Sequence, residues 1–352
     1  MEINKKSNER QYFLDILRVA ATCVVVLLHT LTGAVDAVDI NQYPVERTVF
    51  LVAMDLITWC VPIFVLISGY LFLNPKKQIS VPQMLKKYCR RILLALFVFG
   101  VPYAVLELIL VERTIRLSMV WQGVLMVLQG KSWSHMWYLY MILFLYLLTP
   151  ALKWLLERVP KRCVYAVMVL LLLFSSIFTF MNKLLGVSLP ILPDGGIYLF
   201  YYLCGYLFAC EEKAKSKTAT MACDKILALI VIFMVFAGMA LSRILGDFSV
   251  QMAYNYPFTV LIAVLMFYVA KHSELIMSER TLCIWQKLST LSFTIYLIHP
   301  VFVNVLYKFL HISLLDYPIG ISLPAFFAVI LLFSTNAAWV LYRIPLLKKY
   351  VL

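Results

Sequence analysis

The chain has 352 residues, of which 63% are apolar and only 14% are charged, with a net charge of +13. Soluble domains are about half apolar and a quarter charged, so this composition excludes a soluble enzyme, a disordered chain and a secreted disulfide scaffold. The mean hydropathy of +0.89 predicts a polytopic membrane protein. The cations stand in short clusters between apolar segments, which indicates that they set the orientation of the spans in the membrane and do not bind nucleic acid.

Ten apolar segments are predicted to be transmembrane helices, because a bilayer core of about 30 Å requires about 20 helical residues; the sixth and the eighth are short. The segment from Arg113 to Lys131 mixes polar and apolar residues at helical spacing, which predicts an interfacial or re-entrant helix. The pattern predicts an all-α fold that forms a single domain over residues 1–352. The ten predicted spans are residues 13–35, 48–73, 90–111, 136–156, 164–181, 195–210, 225–246, 254–270, 289–310 and 321–343.

The distribution of lysine and arginine between alternate loops agrees with ten spans. Loops on one side of the predicted membrane carry 23 of the 31 cations, those on the other side carry 7, and Arg18 lies within a span. Cationic loops face the cytoplasm. Both termini are therefore predicted to be cytoplasmic.

Three ionisable side chains lie in the first span, in the sequence LDILRVAATCVVVLLHT. Arg18 and His29 are eleven residues apart, which is almost three helical turns, so they share one face about 16 Å apart along the axis. Asp15 lies one turn before Arg18 and can pair with it, although both residues also fit a cytoplasmic boundary. Imidazole suits proton transfer near neutral pH, so His29 is a candidate catalytic base.

Further histidines are predicted near the same outer face. His135 begins the fourth span beside aromatic residues that also fit an interfacial belt. Ser292, Tyr296 and His299 form a polar stripe on the ninth span, which must face protein or water because lipid leaves polar groups unsatisfied. The stripe fits either an active site or helix packing, and His311 follows it in an outer loop.

Two features of the second span have both functional and structural interpretations. Asp55 lies in its outer half, where a carboxylate can orient a catalytic imidazole, but it can equally pair with Arg47 on the same helix. The later sequence Ser68-Gly69-Tyr70 favours close approach of another helix, because small residues let helix backbones come together.

A cluster of four cations precedes the third span and is predicted to lie beside Arg18. Guanidinium groups hold phosphate oxygens in bidentate pairs, so the cluster favours a polyphosphate ligand, with anionic lipid as the competing ligand. Eight cysteines are scattered along the chain without metal-ligand spacing, which predicts no metal site. The cations of the cluster are Lys86, Lys87, Arg90 and Arg91.

Four motifs occur together along the chain. They are the arginine and histidine eleven residues apart in the first span, a KxxR-type patch before the third, HMWYL opening the fourth, and SxxxYLxHP in the ninth. In this combination the chain resembles the membrane-bound acyltransferase 3 family over essentially its whole length. Where that family often has RxxR, this chain has Lys87-Tyr88-Cys89-Arg90, and lysine keeps the charge without the guanidinium fork.

The resemblance implies a bacterial inner-membrane O-acyltransferase with acetyl-coenzyme A as co-substrate and a carbohydrate or cell-envelope acceptor at the outer face. It implies that His29 is catalytic, either as a general base or as a covalent acyl carrier. Other candidates to orient His29 or to stabilise the oxyanion are Asp55, His135, Tyr296 and His299. The donor phosphates are expected on Arg18, Lys86, Lys87, Arg90 and Arg91.

A second function remains open at the level of sequence. Proteins of similar sequence pattern include exporters or flippases of glycans and lipid-linked sugars, and a regulatory membrane domain is a weaker alternative. The cationic cluster beside an arginine inside a helix favours the enzyme. The identity of the acceptor, acetyl against succinyl as the acyl group, and the oligomeric state, with a dimer possible, are likewise open.

Overall fold

A computed structural model describes residues 11–193, 195–211, 253–273 and 277–352, together with Leu229 and Phe233. Over these residues the regular structure is helical throughout and contains no strand. The helices are α1 Tyr12–Ala37, α2 Pro44–Ile57, α3 Cys60–Phe72, α4 Val81–Glu112, α5 Ser118–Leu128, α6 Ser134–Leu156, α7 Lys161–Leu185, α8 Gly195–Cys210, α9 Pro257–His272, α10 Glu279–Phe309, α11 Ile319–Tyr342 and α12 Pro345–Tyr350.

Seven helical segments of the described residues are long and apolar enough to cross a membrane, counting α2 and α3 together; the others are α1, α4, α6, α7, α10 and α11. The apolar helices α5, α8 and α9 are shorter, and the last two coincide with the predicted sixth and eighth spans. Apart from Leu229 and Phe233, the predicted seventh span, 225–246, lies outside the described residues, as do the cations before residue 11. The protein is an all-helical polytopic membrane protein, and the count of ten stays a prediction.

The predicted second span is broken into two helices at Thr58 and Trp59, where one continuous helix was expected. Pro62 explains the break, because it has no N–H to donate to the carbonyl of Thr58, four residues earlier, and its ring clashes with that carbonyl. The hydroxyl of Thr58 donates to the carbonyl of Met54 at 2.7 Å and so satisfies one acceptor at the end of α2.

Contacts between helices give the relative directions of α1, α3, α9 and α10. Ser289 of α10 donates its hydroxyl to the carboxylate of Asp15 at 2.7 Å, and farther along both helices Tyr307 of α10 donates to the carbonyl of Thr30 at 3.0 Å, so α1 and α10 run in parallel. Phe13 at the start of α1 packs edge-on against Tyr70 and Phe267, which lie near the ends of α3 and α9. Both α3 and α9 therefore run opposite to α1.

Helices α8 and α9 run in the same direction although they are consecutive in the described chain. Near their starts, Tyr201 donates its hydroxyl to the carbonyl of Tyr254 at 2.7 Å. At their ends, Glu211 pairs with Lys271 at 2.7 Å. The chain therefore leaves α8 at one end of the bundle and enters α9 at the other.

Helices α3 and α8 pack with their backbones in contact, as the Ser68-Gly69-Tyr70 sequence predicts. A Cβ atom at Gly69 would lie 2.0 Å from the carbonyl oxygen of Tyr202, and one at Gly205 would lie 2.4 Å from the carbonyl oxygen of Leu66. Only glycine fits at these two positions. The contact fixes the position of α3 in the bundle.

Helix α5 occupies the segment where an interfacial or re-entrant helix was predicted. Its eleven residues span about 16 Å, about half of the bilayer core, so α5 is too short to cross it. Met119, Gly123 and Val127 are buried at a spacing of four, whereas Trp121 and Leu128 on the other side are exposed. The exposed side is itself apolar, which suits contact with lipid, and the choice between an interfacial and a re-entrant helix stays a prediction.

Candidate active site

A long cavity of about 480 Å³ runs through the bundle between α1, α3, α6 and α10. One end, here called the cationic end, is lined by Arg18, Lys77 and Arg91; the other, the histidine end, is lined by His29 and His135. Arg18 and His29 both belong to α1, so the face predicted for them is the wall of the cavity. The cavity therefore joins a cationic site to an imidazole cluster.

The predicted ion pair at the start of α1 is confirmed. Arg18 lies 3.6 Å from the carboxylate of Asp15, whose side chain is 3% exposed against 31% for Arg18. The hydroxyl of Ser289 donates to the same carboxylate. Asp15 is thus held from α10 while its charge orients Arg18, whose partly exposed side chain lines the cavity.

Arg91 is the member of the predicted cationic cluster that lines the cavity. Its Nε donates to the carbonyl of Val351 at 3.2 Å, and its guanidinium lies 5.1 Å from the ring centroid of Phe293. The wider turn of the π-helical segment Met84–Cys89 precedes it, and such turns are frequent at functional sites. The guanidinium is therefore fixed at the cationic end.

The other members of the cluster are exposed and line neither cavity: Lys86, Lys87 and Arg90. Lys87 lies over the ring of Tyr88, and Arg90 over the ring of Tyr350. Tyr88 lines the long cavity, so Lys87 lies beside its wall, and the predicted role of all three cations in phosphate binding stays a prediction.

Lys77 is a cavity-lining cation that the sequence analysis did not select. It lies in the loop between α3 and α4, and burial together with the positive charges of Lys87 and Arg18 lowers its pKa from the ordinary 10.5. The amine of Lys153 donates to the carbonyl of Lys77 and so holds the loop. Lys77 thus adds a third positive charge to those of Arg18 and Arg91 at this end of the cavity, and such a group of cations suits an anion.

The middle of the cavity is lined by hydroxyl groups. Ser68 and Tyr146 face each other with their oxygens 3.5 Å apart, and Ser292 lies on the α10 wall. The phenol of Tyr138 lines the same space, and its hydroxyl forms no side-chain hydrogen bond with the described residues. These groups can bind amides or carbonyls of an extended ligand.

Three histidines from three helices meet at the histidine end. The ring centroid of His29 lies 5.0 Å from that of His299 and 6.4 Å from that of His135, and the latter two rings are 5.8 Å apart. His135 is 3% exposed and His299 is fully buried, whereas His29 is half-buried and faces the cavity. His29 is therefore the imidazole within reach of a ligand.

Hydrogen bonding assigns different roles to the ring nitrogens. Nδ1 of His299 lies 3.1 Å from the carbonyl of Ile295, so Nδ1 carries the proton and Nε2 has a free lone pair. The Nε2 atoms of His135 and His299 are buried and have no hydrogen-bond partner among the described residues. Buried polar atoms rarely stay unpaired, so these two nitrogens are available to a ligand or a water molecule.

Tyr296 supports His135 through the backbone. Its hydroxyl donates to the carbonyl of His135 in a short hydrogen bond, and nearby Tyr103 donates to the carbonyl of Leu297 at 2.8 Å. The predicted stripe of Ser292, Tyr296 and His299 thus faces protein and cavity, as expected.

A second cavity of about 910 Å³ reaches the same histidines from the opposite side. His29 and His135 line both cavities. Charged side chains of both signs line its wider part, and none of them forms an ion pair or side-chain hydrogen bond with the described residues. They are Asp36, Glu107, Lys131 and Lys308.

Asp55 is the predicted catalytic residue that belongs neither to the lining of a cavity nor to the histidine cluster. It is buried in the last turns of α2 and lines neither cavity. Its role as an orienting carboxylate stays a prediction.

Comparison with known proteins places this site in a family. A family model described as an acyltransferase domain matches residues 11–343, which is nearly the whole chain. No curated protein matches the chain, and no solved structure matches it. The matched range includes both ends of the long cavity and all three clustered histidines. The chain belongs to the acyltransferase 3 family and is an integral-membrane acyltransferase.

Proposed function

We propose that the protein is an O-acyltransferase of the bacterial cell membrane that transfers an acyl group, most simply acetyl, from cytoplasmic acyl-coenzyme A to a hydroxyl of a carbohydrate or other cell-envelope acceptor. The observation that carries the proposal is the meeting of two cavities at His29 and His135. One cavity ends in cations and the other in mixed polar groups. Two substrates of different chemistry can therefore reach one imidazole from opposite sides.

The cationic end suits the phosphates of coenzyme A. Arg18, Lys77 and Arg91 come from three different segments, and Asp15 is the carboxylate paired with Arg18. The distance of about 16 Å between Arg18 and His29 along α1 is comparable to the extended pantetheine arm. Hydroxyl groups along the cavity offer hydrogen bonds to the two amides of that arm.

The transfer needs one base and one oxyanion stabiliser. His29 takes the proton of the acceptor hydroxyl while that oxygen attacks the thioester carbonyl, and the C–S bond then breaks. The proton passes from His29 to the departing thiolate, which leaves as free coenzyme A thiol. The hydroxyl of Tyr138, which lines the same cavity, can donate a hydrogen bond to the oxyanion and stabilise it.

The second cavity suits a polyhydroxylated acceptor. Its volume lies within the usual ~300–1,000 Å³ range of small-molecule sites. Carboxylates and ammonium groups such as those of Glu107 and Lys131 bind hydroxyl groups as acceptors and donors, respectively. An apolar acceptor would leave these charges without partners.

The test measures coenzyme A binding and cleavage of acetyl-coenzyme A by the purified protein in lipid nanodiscs, with release of free thiol as the readout. His29→Ala should retain binding and lower cleavage at least about 100-fold, because it removes the base. Arg18→Ala should weaken binding about tenfold, because one charge-assisted phosphate contact is lost.

Two substitutions outside both cavities serve as matched controls. His272→Ala and Arg158→Ala should leave cleavage and binding unchanged, since His272 contacts Glu211 and Arg158 stacks on Trp154. Undiminished cleavage by His29→Ala would overturn the catalytic role. Absence of any coenzyme A binding by the unmodified protein would overturn the proposal and favour transport of a glycan.

A further inference from the structure

The lining of the long cavity at the histidine end also includes apolar and aromatic side chains. They are Val61 and Phe64 in the first half of α3, Trp137 at the outset of α6, and Tyr254 before α9. The rings of Trp137 and Tyr254 are 5.6 Å apart, and that of Phe64 lies 6.2 Å from the ring of Tyr138. Apolar and aromatic groups therefore bound a compartment at the histidine end.

This compartment has no charged side chain among the described residues. The lysines and arginines that line the long cavity are Arg18, Lys77 and Arg91, and all three lie at the cationic end. The acceptor has its own route, because the charged second cavity reaches His29 from the other side. A donor whose phosphates lie at the cationic end would place its thioester at His29, and the group beyond the thioester would enter the apolar compartment.

We propose that the compartment formed by Val61, Phe64, Trp137 and Tyr254 holds the acyl group of the donor and selects short, uncharged acyl groups. The inference rests on the proposed function and adds the class of acyl group. The whole cavity of about 480 Å³ must also hold the donor's arm, so little volume is left for the acyl chain.

Charge selection follows from desolvation. Succinyl and butyryl groups have the same four-carbon chain, but succinyl ends in a carboxylate. In the compartment that carboxylate would lose water without gaining a cation, which disfavours it by at least about 100-fold in rate relative to butyryl. The aromatic rings limit the length of the acyl chain. Methylenes that a closed pocket cannot accommodate lower the rate of the longer donor relative to the shorter one by about tenfold or more.

The experiment compares acetyl-, butyryl-, hexanoyl- and succinyl-coenzyme A as donors to the purified protein in nanodiscs, with water as acceptor and thiol release as the readout. The unmodified protein should cleave butyryl-coenzyme A at least about 100-fold faster than succinyl-coenzyme A. Phe64→Ala should raise the ratio of hexanoyl to acetyl cleavage about tenfold, because it enlarges the compartment.

Two further variants keep the test decisive. Val61→Leu has a larger side chain, which fills part of the compartment and should lower the ratio of butyryl to acetyl cleavage. This variant gives a second measurement if Phe64→Ala does not fold. Phe144→Ala, on the exposed side of α6, is the matched control and should leave every ratio unchanged.

The outcomes separate this inference from the proposed function. Equal cleavage of succinyl and butyryl donors, or ratios unchanged by substitutions at Phe64 and Val61, would overturn the acyl compartment while acyl transfer itself stands. Binding and cleavage of none of the four donors would overturn both.

Discussion

The side chain of Lys77 adds a positive charge to the cationic end, and its lowered pKa makes this charge sensitive to pH. Burial is the main cause of its lowered pKa, followed by repulsion from Lys87 and Arg18. Because the pKa is lowered, the ammonium group loses its proton at a lower pH than an ordinary lysine does. A bound polyphosphate stabilises the charged form and raises the pKa, so binding of the anion and protonation of Lys77 favour each other.

We therefore expect the affinity for coenzyme A to fall as the pH rises, beginning below the ordinary lysine pKa of 10.5. Lys77→Arg should remove this decline, because guanidinium stays charged. Lys77→Met should weaken binding about fivefold at neutral pH, the effect of losing one partly exposed ion pair. Equilibrium dialysis with coenzyme A between neutral and alkaline pH measures both effects.

The control is Lys161→Met, which removes an exposed lysine that lines neither cavity. It should leave the affinity and its pH dependence unchanged. A decline that persists in Lys77→Arg would assign the titration to another group and contradict this interpretation.

At the level of residues, sequence could predict the site wherever helical periodicity applied. Arg18 and His29 lie on one wall of the cavity because eleven residues bring the α-helix back to the same face. Lys77 was missed because it lies in a loop, where spacing has no period. The exposure of Lys87 and Arg90 likewise depends on the π turn before Arg91, which composition does not reveal.

At the level of elements, sequence predicted helices better than their interruptions. The break before α3 follows from Pro62, but a proline inside an apolar segment can also form a mere kink, so the pattern left both outcomes possible. The sequence Ser68-Gly69-Tyr70 predicted that another helix packs closely against α3. It did not predict that this helix is α8, because the choice of partner depends on tertiary packing.

We predict that Gly69→Ala destabilises the protein although alanine favours helix. The helix propensity of alanine exceeds that of glycine by about 1 kcal/mol. The new Cβ atom, however, would lie 2.0 Å from the backbone oxygen of Tyr202, which cannot rotate away, so α3 and α8 must separate. Overpacking costs about 1–3 kcal/mol or more and should dominate. The midpoint of thermal unfolding in detergent should fall.

Gly320→Ala is the matched control, because Gly320 also lies in a helix and has no atom within 4 Å of its added Cβ. Its unfolding midpoint should stay the same or rise. An unchanged midpoint in Gly69→Ala would mean that the two backbones are farther apart than described.

For the whole molecule, the directions of the helices carry information that the apolar segments alone lack. Contacts at both ends show that α8 and α9 are parallel, through Tyr201 with Tyr254 and Glu211 with Lys271. Both starts lie at the histidine end of the bundle, where Trp137 contacts Tyr254. The excess of cations in alternate loops predicts that the other end faces the cytoplasm.

These directions predict that residues 211 and 253 lie on opposite faces of the membrane. Glu211→Cys and Ala253→Cys, each made in a variant without its native cysteines, place a thiol at exposed positions after α8 and before α9. A membrane-impermeant maleimide should label Ala253→Cys in intact cells and Glu211→Cys only in inverted vesicles. His311→Cys at the histidine end and Arg158→Cys at the cationic end are the corresponding controls. Labelling of both test positions from one face would contradict the parallel course of α8 and α9.

The predicted pattern would place the cationic end in the cytoplasm, where acyl-coenzyme A is made, and the second cavity outside, so that transfer at His29 carries the acyl group across the membrane.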